Sequence, residues 1–216
     1  MRKKTDARRQ AILNAANALF RARGFERTSM AEINATAGGS KTTLYNYFAS
    51  KEELFVECMF QVTEPYLADT LSSLRDLEMD LETNLTLLAE RALRLMYKTE
   101  QLAVRRLMLT EAERAGIGKL FFENKIHVRH QEIAEYLAKA MDAGKLRRDD
   151  PLLVAIQFRA LLEAEVFEPC ILGATATPLE DDLLKSVAGR AVATFLRAYA
   201  PDSSAHHEAS SDQRTG

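Results

Sequence analysis

The stretch AGGSKTTLYNYFASKEELF, residues 37–55, decides how this chain is read. Serine, lysine, threonines and tyrosines stand between small apolar residues, with a glycine pair in front and acidic residues behind. Ser40 can cap a short helix KTTLYNYF, and Ser50-Lys51-Glu52-Glu53 has the capping-box pattern that opens a longer one. Upstream, Ser29-Met30-Ala31-Glu32 is a second capping box, and the helix it opens stops at Gly38-Gly39. Before that, in RRQAILNAANALFRARG, Ile12, Ala16, Leu19 and Phe20 form one apolar stripe ending at Gly24. Two short helices joined by a tight glycine turn and braced by a longer helix describe a helix-turn-helix over about residues 29–48.

The third helix carries the polar face. At about 100° per residue, setting Leu44 inward leaves Phe48 on the same side. Thr42 and Asn46 then point outward, Thr43 and Tyr45 flank them, and Lys41 and Tyr47 sit at the margins. In a major groove, hydroxyls can contact phosphates or bases, a threonine methyl can meet a thymine methyl, and an asparagine amide can pair with adenine. Ser40, Lys41 and the free N–H groups of the helix start form a phosphate site. Lys51, Ser29 and Thr28 are further phosphate-contact candidates, and Arg2-Lys3-Lys4 read as a disordered basic arm that adds nonspecific attraction. The alternative is a small helical hairpin with a polar surface. The density of Tyr45, Tyr47, Phe48 and Phe55 weighs against it.

Composition sets the frame. The 216 residues are 47% hydrophobic and 28% charged, with nine glycines, five prolines and no sustained period-2 alternation, which points to an all-α protein. No run reaches the ~18 apolar residues of a membrane span. The N-terminus lacks the continuous apolar core of a signal peptide, so a cytoplasmic location is expected. Residues 1–53 hold ten Lys/Arg against five Asp/Glu, a net of +5, which leaves −7 for the rest of a chain whose total is −2. That asymmetry suits an anionic partner at one end. Cys58 and Cys170 have no CxxC pairing and read as buried free thiols.

From Ala7 to about Tyr66 the chain closely resembles the DNA-binding domain of TetR-family transcriptional regulators. The resemblance is carried by ILNAANALFRARGFERTSMAEINATAGGSKTTLYNYFASKEELF: the apolar first helix, G-F-x-x-T-S, the A-G turn, S-K-x-T-L-Y-x-Y-F and S-K-E-E-L-F. It implies that Ser40–Phe48 is the recognition helix. Lys41, Thr42, Thr43, Asn46 and Tyr47 then match positions that approach bases or nearby backbone, and Ser29, Tyr45 and Lys51 positions that hold phosphates. Three residues depart from the pattern. Gly39 stands where an apolar residue such as valine is common, which would loosen the turn, and Asn34 and Thr36 replace small or charged residues. The C-terminal two-thirds is similar, more weakly, to the AefR-like subgroup through runs such as AGKLRRDDPLLVAIQF.

Three regions are expected: a DNA-binding domain over 1–66, a helical effector-binding and dimerisation domain over 67–200, and a disordered tail over 201–216. Helices are expected near 51–75, 81–99, 101–115, 117–142, 150–172 and 178–199. Asp150-Pro151 marks one start, Thr177-Pro178-Leu179-Glu180 another, and Gly144 a stop. Two stripes, Leu152, Ile156, Ala160, Ala164 and Phe167, then Leu183, Val187, Ala191, Phe195 and Ala198, are candidate dimer faces or else internal packing. Dimerisation also follows from the short recognition helix, since a palindromic operator needs two copies ~34–36 Å apart. Cys58, Met59, Tyr66, Met96, Met108, Phe122, His130, Phe158 and Leu162 are raw material for an apolar or aromatic effector's pocket, or ordinary core.

Glu123, His127 and His130 at i, i+4 and i+7 could share one helix face. A lone H-x-x-H is a weak metal signal, and a hydrogen-bonded histidine or polar pocket contact is the better reading. No nucleophile–base grouping, glycine-rich phosphate loop or metal tetrad points to an enzyme or a cofactor. The sequence therefore reads as a homodimeric regulator, a repressor released from DNA by a small molecule. The alternatives are an activator, a ligand-independent DNA binder, or a helical adaptor for acidic partners.

Overall fold

The computed structural model describes residues 2–60, 80–114 and 116–201. All regular structure among them is helical: α1 (Arg2–Arg23), α2 (Met30–Ala37), α3 (Lys41–Tyr47), α4 (Lys51–Phe60), α5 (Leu81–Met96), α6 (Thr99–Glu111), α7 (Ile117–Phe121), a π-helical turn (Phe122–His127), α8 (Val128–Asp142), α9 (Pro151–Glu163), α10 (Phe167–Ile171) and α11 (Asp181–Tyr199). No helix among the described residues is long and apolar enough to cross a membrane. The helices group into two compact units, Met1–Leu67 with Thr99–Val128, and Ala68–Lys98 with Arg129–Gly216. The first unit thus takes in a segment well beyond the N-terminal 66 residues.

Local signals set the helix ends of the first unit. Ser29 Oγ accepts from the Glu32 N–H, and the Glu32 carboxylate returns to the Ser29 N–H at 2.9 Å, closing the expected capping box. Those Ser29 hydrogen bonds hold the Glu32 carboxyl below its ordinary pKa. Ser40 Oγ accepts from the Thr43 N–H at 3.1 Å. Ser50 Oγ likewise accepts from the Glu53 N–H at 3.0 Å, but the Glu53 carboxylate takes the Ala49 N–H, one residue earlier than a reciprocal box. The first unit's core gathers Ile12, Phe20, Phe25, Leu44, Phe48 and Phe55. Phe55 meets Phe20 and Phe25 edge-on, each at 5.1 Å.

In the second unit, α11 packs on α5 and α9. Phe195 of α11 lies 4.9 Å from the rings of both Phe158 of α9 and Tyr199. Asp150 accepts from the N–H groups of Leu152 and Leu153, with Pro151 in the first turn of α9. After α8, the Gly144 and Lys145 N–H groups return to the Met141 and Ala140 carbonyls, closing the helix at the expected stop.

Four expectations are corrected here. Arg2, Lys3 and Lys4 lie within α1. The expected helix 150–172 breaks after Glu163 and resumes at Phe167. Pro169 explains the break, because inside a continuous helix its ring would strike the Glu165 carbonyl, whereas in the first turn of α10 no N–H is needed there. The helix expected from 178 starts at Asp181, with Glu180 as its cap residue and Leu179 buried ahead of it. The segment 117–142 is interrupted by the π-helical turn, which takes Glu123 and His127 off the assumed α-helical spacing. The later part of the expected helix 51–75 and the tail beyond Pro201 lie outside the described residues.

Candidate nucleic-acid interface

α3 is seated by Leu44 and Phe48, which are 0% and 1% exposed. Their burial turns Lys41, Thr42, Tyr45 and Asn46 to solvent, while Thr43 and Tyr47 are half-buried. Thr43 Oγ1 lies 2.8 Å from Ser40 Oγ, so these two hydroxyls support the cap before they meet anything else. The Lys41 ammonium stands 5.9 Å from the Tyr45 ring. Of the aromatic cluster, Phe48 and Phe55 belong to the core, and Tyr45 is the exposed member at 43%.

Of the expected phosphate contacts, Thr28 faces inward and Lys51 already has a partner within its unit. Thr28 is 2% exposed, and its hydroxyl donates to the Gly24 carbonyl at 2.9 Å, tying the end of α1 to the entry of α2. Lys51 is half-buried, with Nζ donating to the Phe25 carbonyl at 3.0 Å and lying 4.1 Å from the Phe25 ring. The ammonium keeps two further N–H donors. Lys51 is therefore a brace between α4 and the α1–α2 loop as well as a positive charge. Ser29 is exposed, with its hydroxyl engaged by Glu32.

An ion network ties α1, α4 and the π-helical turn together behind this face. Glu57 pairs with Arg9 at 2.5 Å and Lys125 at 2.7 Å. Burial raises the Glu57 pKa, but the hydrogen bonds and charges of Lys125 and Arg9 outweigh it and hold the carboxyl below its ordinary value. Next to it, Cys58 is buried with Sγ donating to the Leu13 carbonyl at 3.5 Å. Burial pushes its thiol pKa up to about 12, with the Glu57 charge adding to the effect.

The remaining sequence candidates scatter. Cys58, Met59 and Met108 belong to the first unit's core, and Phe122 is 52% exposed. Phe158, Leu162 and His130 are buried in the second unit and Met96 is half-buried there, while Tyr66 lies outside the described residues. His130 Nε2 lies 3.3 Å from Arg159 Nη1, Glu123 pairs with Lys119, and the His127 ring stacks on Phe122. Val187, Ala191 and Phe195, expected on a dimer face, are 0%, 5% and 0% exposed within the chain, because α11 turns that stripe onto α5 and α9. Phe167 is half-buried, whereas Ile156, Ala160, Ala164 and Leu183 are exposed.

A short capped helix with an exposed polar face, seated on a tight turn and backed by two helices, defines a helix-turn-helix protein. Residues 12–58 match the family described as bacterial regulatory proteins, tetR family, and residues 83–201 match the AefR-like transcriptional repressor C-terminal domain. The second match alone spans more than half the chain, and the protein belongs to the TetR family of transcriptional regulators. It is 42% identical over 62 residues to the HTH-type transcriptional regulator RutR of Escherichia coli, a match covering 29% of each chain. Over 50 residues it is 42% identical to the HTH-type transcriptional regulator YfiR of Bacillus subtilis, covering 23% of this chain and 24% of that one. These curated relatives are thus matched over less than a third of their length. Among solved structures, it is similar to a TetR-family regulator from Mesorhizobium loti at 26% identity and a TM-score of 0.73, covering 91% of this chain and 98% of that one. The flavonoid-responsive regulator FrrA is similar at 28% identity and 0.72, covering 91% and 99%.

Proposed function

We propose that this protein is a homodimeric repressor that holds a palindromic operator and is released from it by a small apolar or aromatic molecule. The observation that carries the reading is α3: Leu44 and Phe48 anchor it, and Lys41, Thr42, Tyr45 and Asn46 stand free on the opposite side. Thr42 and Asn46 read bases, Lys41 and the Ser40-capped helix start take phosphate, and Lys51 adds charge at the flank.

The dimer reading is supported by exposed apolar groups on two helices of the second unit. Leu153 and Ile156 of α9 are 46% and 41% exposed, and Leu183 of α11 is 40% exposed. Ala160 and Ala164 continue the exposed α9 face with small residues, and Gly189 and Ala193 are further exposed small residues of α11. Exposed apolar side chains clustered on a helix face are the material of an association site. The effector reading is supported by the buried Phe158, Leu162 and His130 of the second unit and by the name of the similar structure FrrA. Planar polyphenols are accordingly the first compounds to try. A coupling of about 1–3 kcal/mol would lower operator affinity 5- to 150-fold.

The test is selection of bound duplexes from a random pool near physiological salt, followed by titration of the winner with and without a flavonoid panel. An enriched inverted repeat is the expected outcome. Folded protein that enriches no duplex overturns DNA reading, and a stable complex indifferent to every bound effector overturns release.

A further inference from the structure

Arg8 reaches from α1 onto the turn that joins α2 to α3. Its Nη1 donates to the Ala37 carbonyl at 2.7 Å, one of the last carbonyls of α2 that the helix itself leaves without a partner. Nη2 lies where a side chain at Gly39 would begin. A Cβ built on Gly39 would stand 2.4 Å from Nη2 and 2.9 Å from Cζ. Nη2 is shut off from solvent and has no hydrogen-bond partner among the described residues. A guanidinium nitrogen in that state is held by packing, and the packing surface here is the bare Cα of a glycine at φ +97°. From α2, Asn34 Nδ2 donates to the Gly39 carbonyl at 3.2 Å. Two of the three residues that depart from the family pattern, Asn34 and Gly39, therefore meet each other, and Arg8 packs on Gly39. The turn expected to be loose is clamped.

We infer that Arg8 is a positioning residue for DNA reading. It fixes the turn before Ser40, and with it the angle at which Thr42 and Asn46 meet the base edges. Leu44 and Phe48 anchor the middle and end of α3, and Arg8 with Asn34 anchors the residue before its cap. A reading face needs its supporting contacts locked to a fraction of an ångström. The inference rests on the DNA-reading role proposed above and adds a residue on α1 that acts through the turn.

The experiment uses the full chain, the duplex selected by the wild-type protein, and the same duplex with one base pair changed in each half-site. Arg8→Ala is expected to lower the ratio of affinities for the two duplexes about tenfold, as removal of a charge-assisted hydrogen bond would. The slope of log affinity against log salt is expected to stay unchanged. A slope shallower by about 0.9 would instead make Arg8 a phosphate contact and overturn the inference. Arg8→Lys, which keeps charge and stem but loses the planar fork, is expected to fail to restore discrimination. Restoration by lysine overturns the inference too. Gly39→Ala supplies the second handle, because it displaces Nη2 in the wild-type background but not beside Arg8→Ala. Its effect on discrimination should be at least about threefold smaller in the second background, and effects that multiply independently defeat the idea. If Arg8→Ala unfolds, the lysine variant decides alone. Wild-type protein that enriches no duplex removes the DNA reading and this inference together, whereas equal discrimination by wild type and folded Arg8 variants removes only the inference.

Discussion

The two compact units solve different problems with similar apolar material. The first uses its polar side chains as punctuation: Ser29, Ser40 and Ser50 each hold a helix start, Thr28 and Lys51 each grip a backbone carbonyl of the α1–α2 loop, and Arg8 grips one at the end of α2. Short helices cannot hold themselves, so local caps and long side chains set their angles. The second unit relies on longer helices packed through Phe158, Phe195 and Tyr199. It leaves apolar Leu153, Ile156 and Leu183 in solvent. The difference teaches that short helices are set at fixed angles by local polar contacts in one unit, whereas longer ones are set by apolar packing in the other.

The sharpest way to break this comparison is to hollow each core in turn. Phe48→Ala and Phe195→Ala remove rings that are 1% and 0% exposed, at an expected cost of about 3–5 kcal/mol each. Phe48→Ala should abolish duplex binding and leave self-association, whereas Phe195→Ala should weaken self-association. Denaturant unfolding, gel filtration and duplex titration measure all three. Identical losses from both changes would erase the division of labour.

Thr42→Ala and Asn46→Ala probe the reading face itself. Both side chains are exposed, so melting should not move, while discrimination among duplexes should fall by about 1–3 kcal/mol for each base-reading side chain removed. A change in melting temperature with unchanged base preference would put these residues in the scaffold instead.

Glu57→Gln tests whether charge as well as packing joins α1, α4 and the π-helical turn. Because the native pKa is lowered, the ion network stabilises the fold above the ordinary carboxylate range and is lost as pH falls through the native value. The variant should therefore be about 1–2 kcal/mol less stable at pH 7, allowing for screening at the part-exposed Arg9, and should converge with wild type in acid. A gap that persists once the native carboxylate is protonated would assign the loss to packing. Lys51→Ala should be milder, about 1 kcal/mol, from the Phe25 carbonyl and ring contacts. It should also weaken binding to all duplexes alike, with a shallower salt dependence. Unchanged stability would return Lys51 to the role of a plain phosphate contact.

Much of the reading unit was legible because its signals are local. Caps act over three residues and the Leu44–Phe48 spacing over four, so both can be read along the chain. Pro169 was an equally local signal, and the break before α10 follows from it once the ring is set against a helix interior. The second unit was less legible. An apolar stripe says that something covers it, without saying whether the cover comes from the same chain. That is why Val187, Ala191 and Phe195 proved to be internal while Ile156, Ala160 and Leu183 stayed exposed.

The amino-acid sequence by itself determined an all-helical protein with a helix-turn-helix near its start, and which side chains of α3 turn outward, because helical period and capping are properties of a few neighbouring residues. Only the tertiary structure decided that Thr28 turns inward, that Lys51 braces the α1–α2 loop, that Thr99–Val128 joins the first unit, and that Arg8 fills the space Gly39 leaves. The last three depend on what a distant part of the chain brings against a residue. Arg8 and Gly39 stand 31 positions apart, too far for any local pattern to pair them.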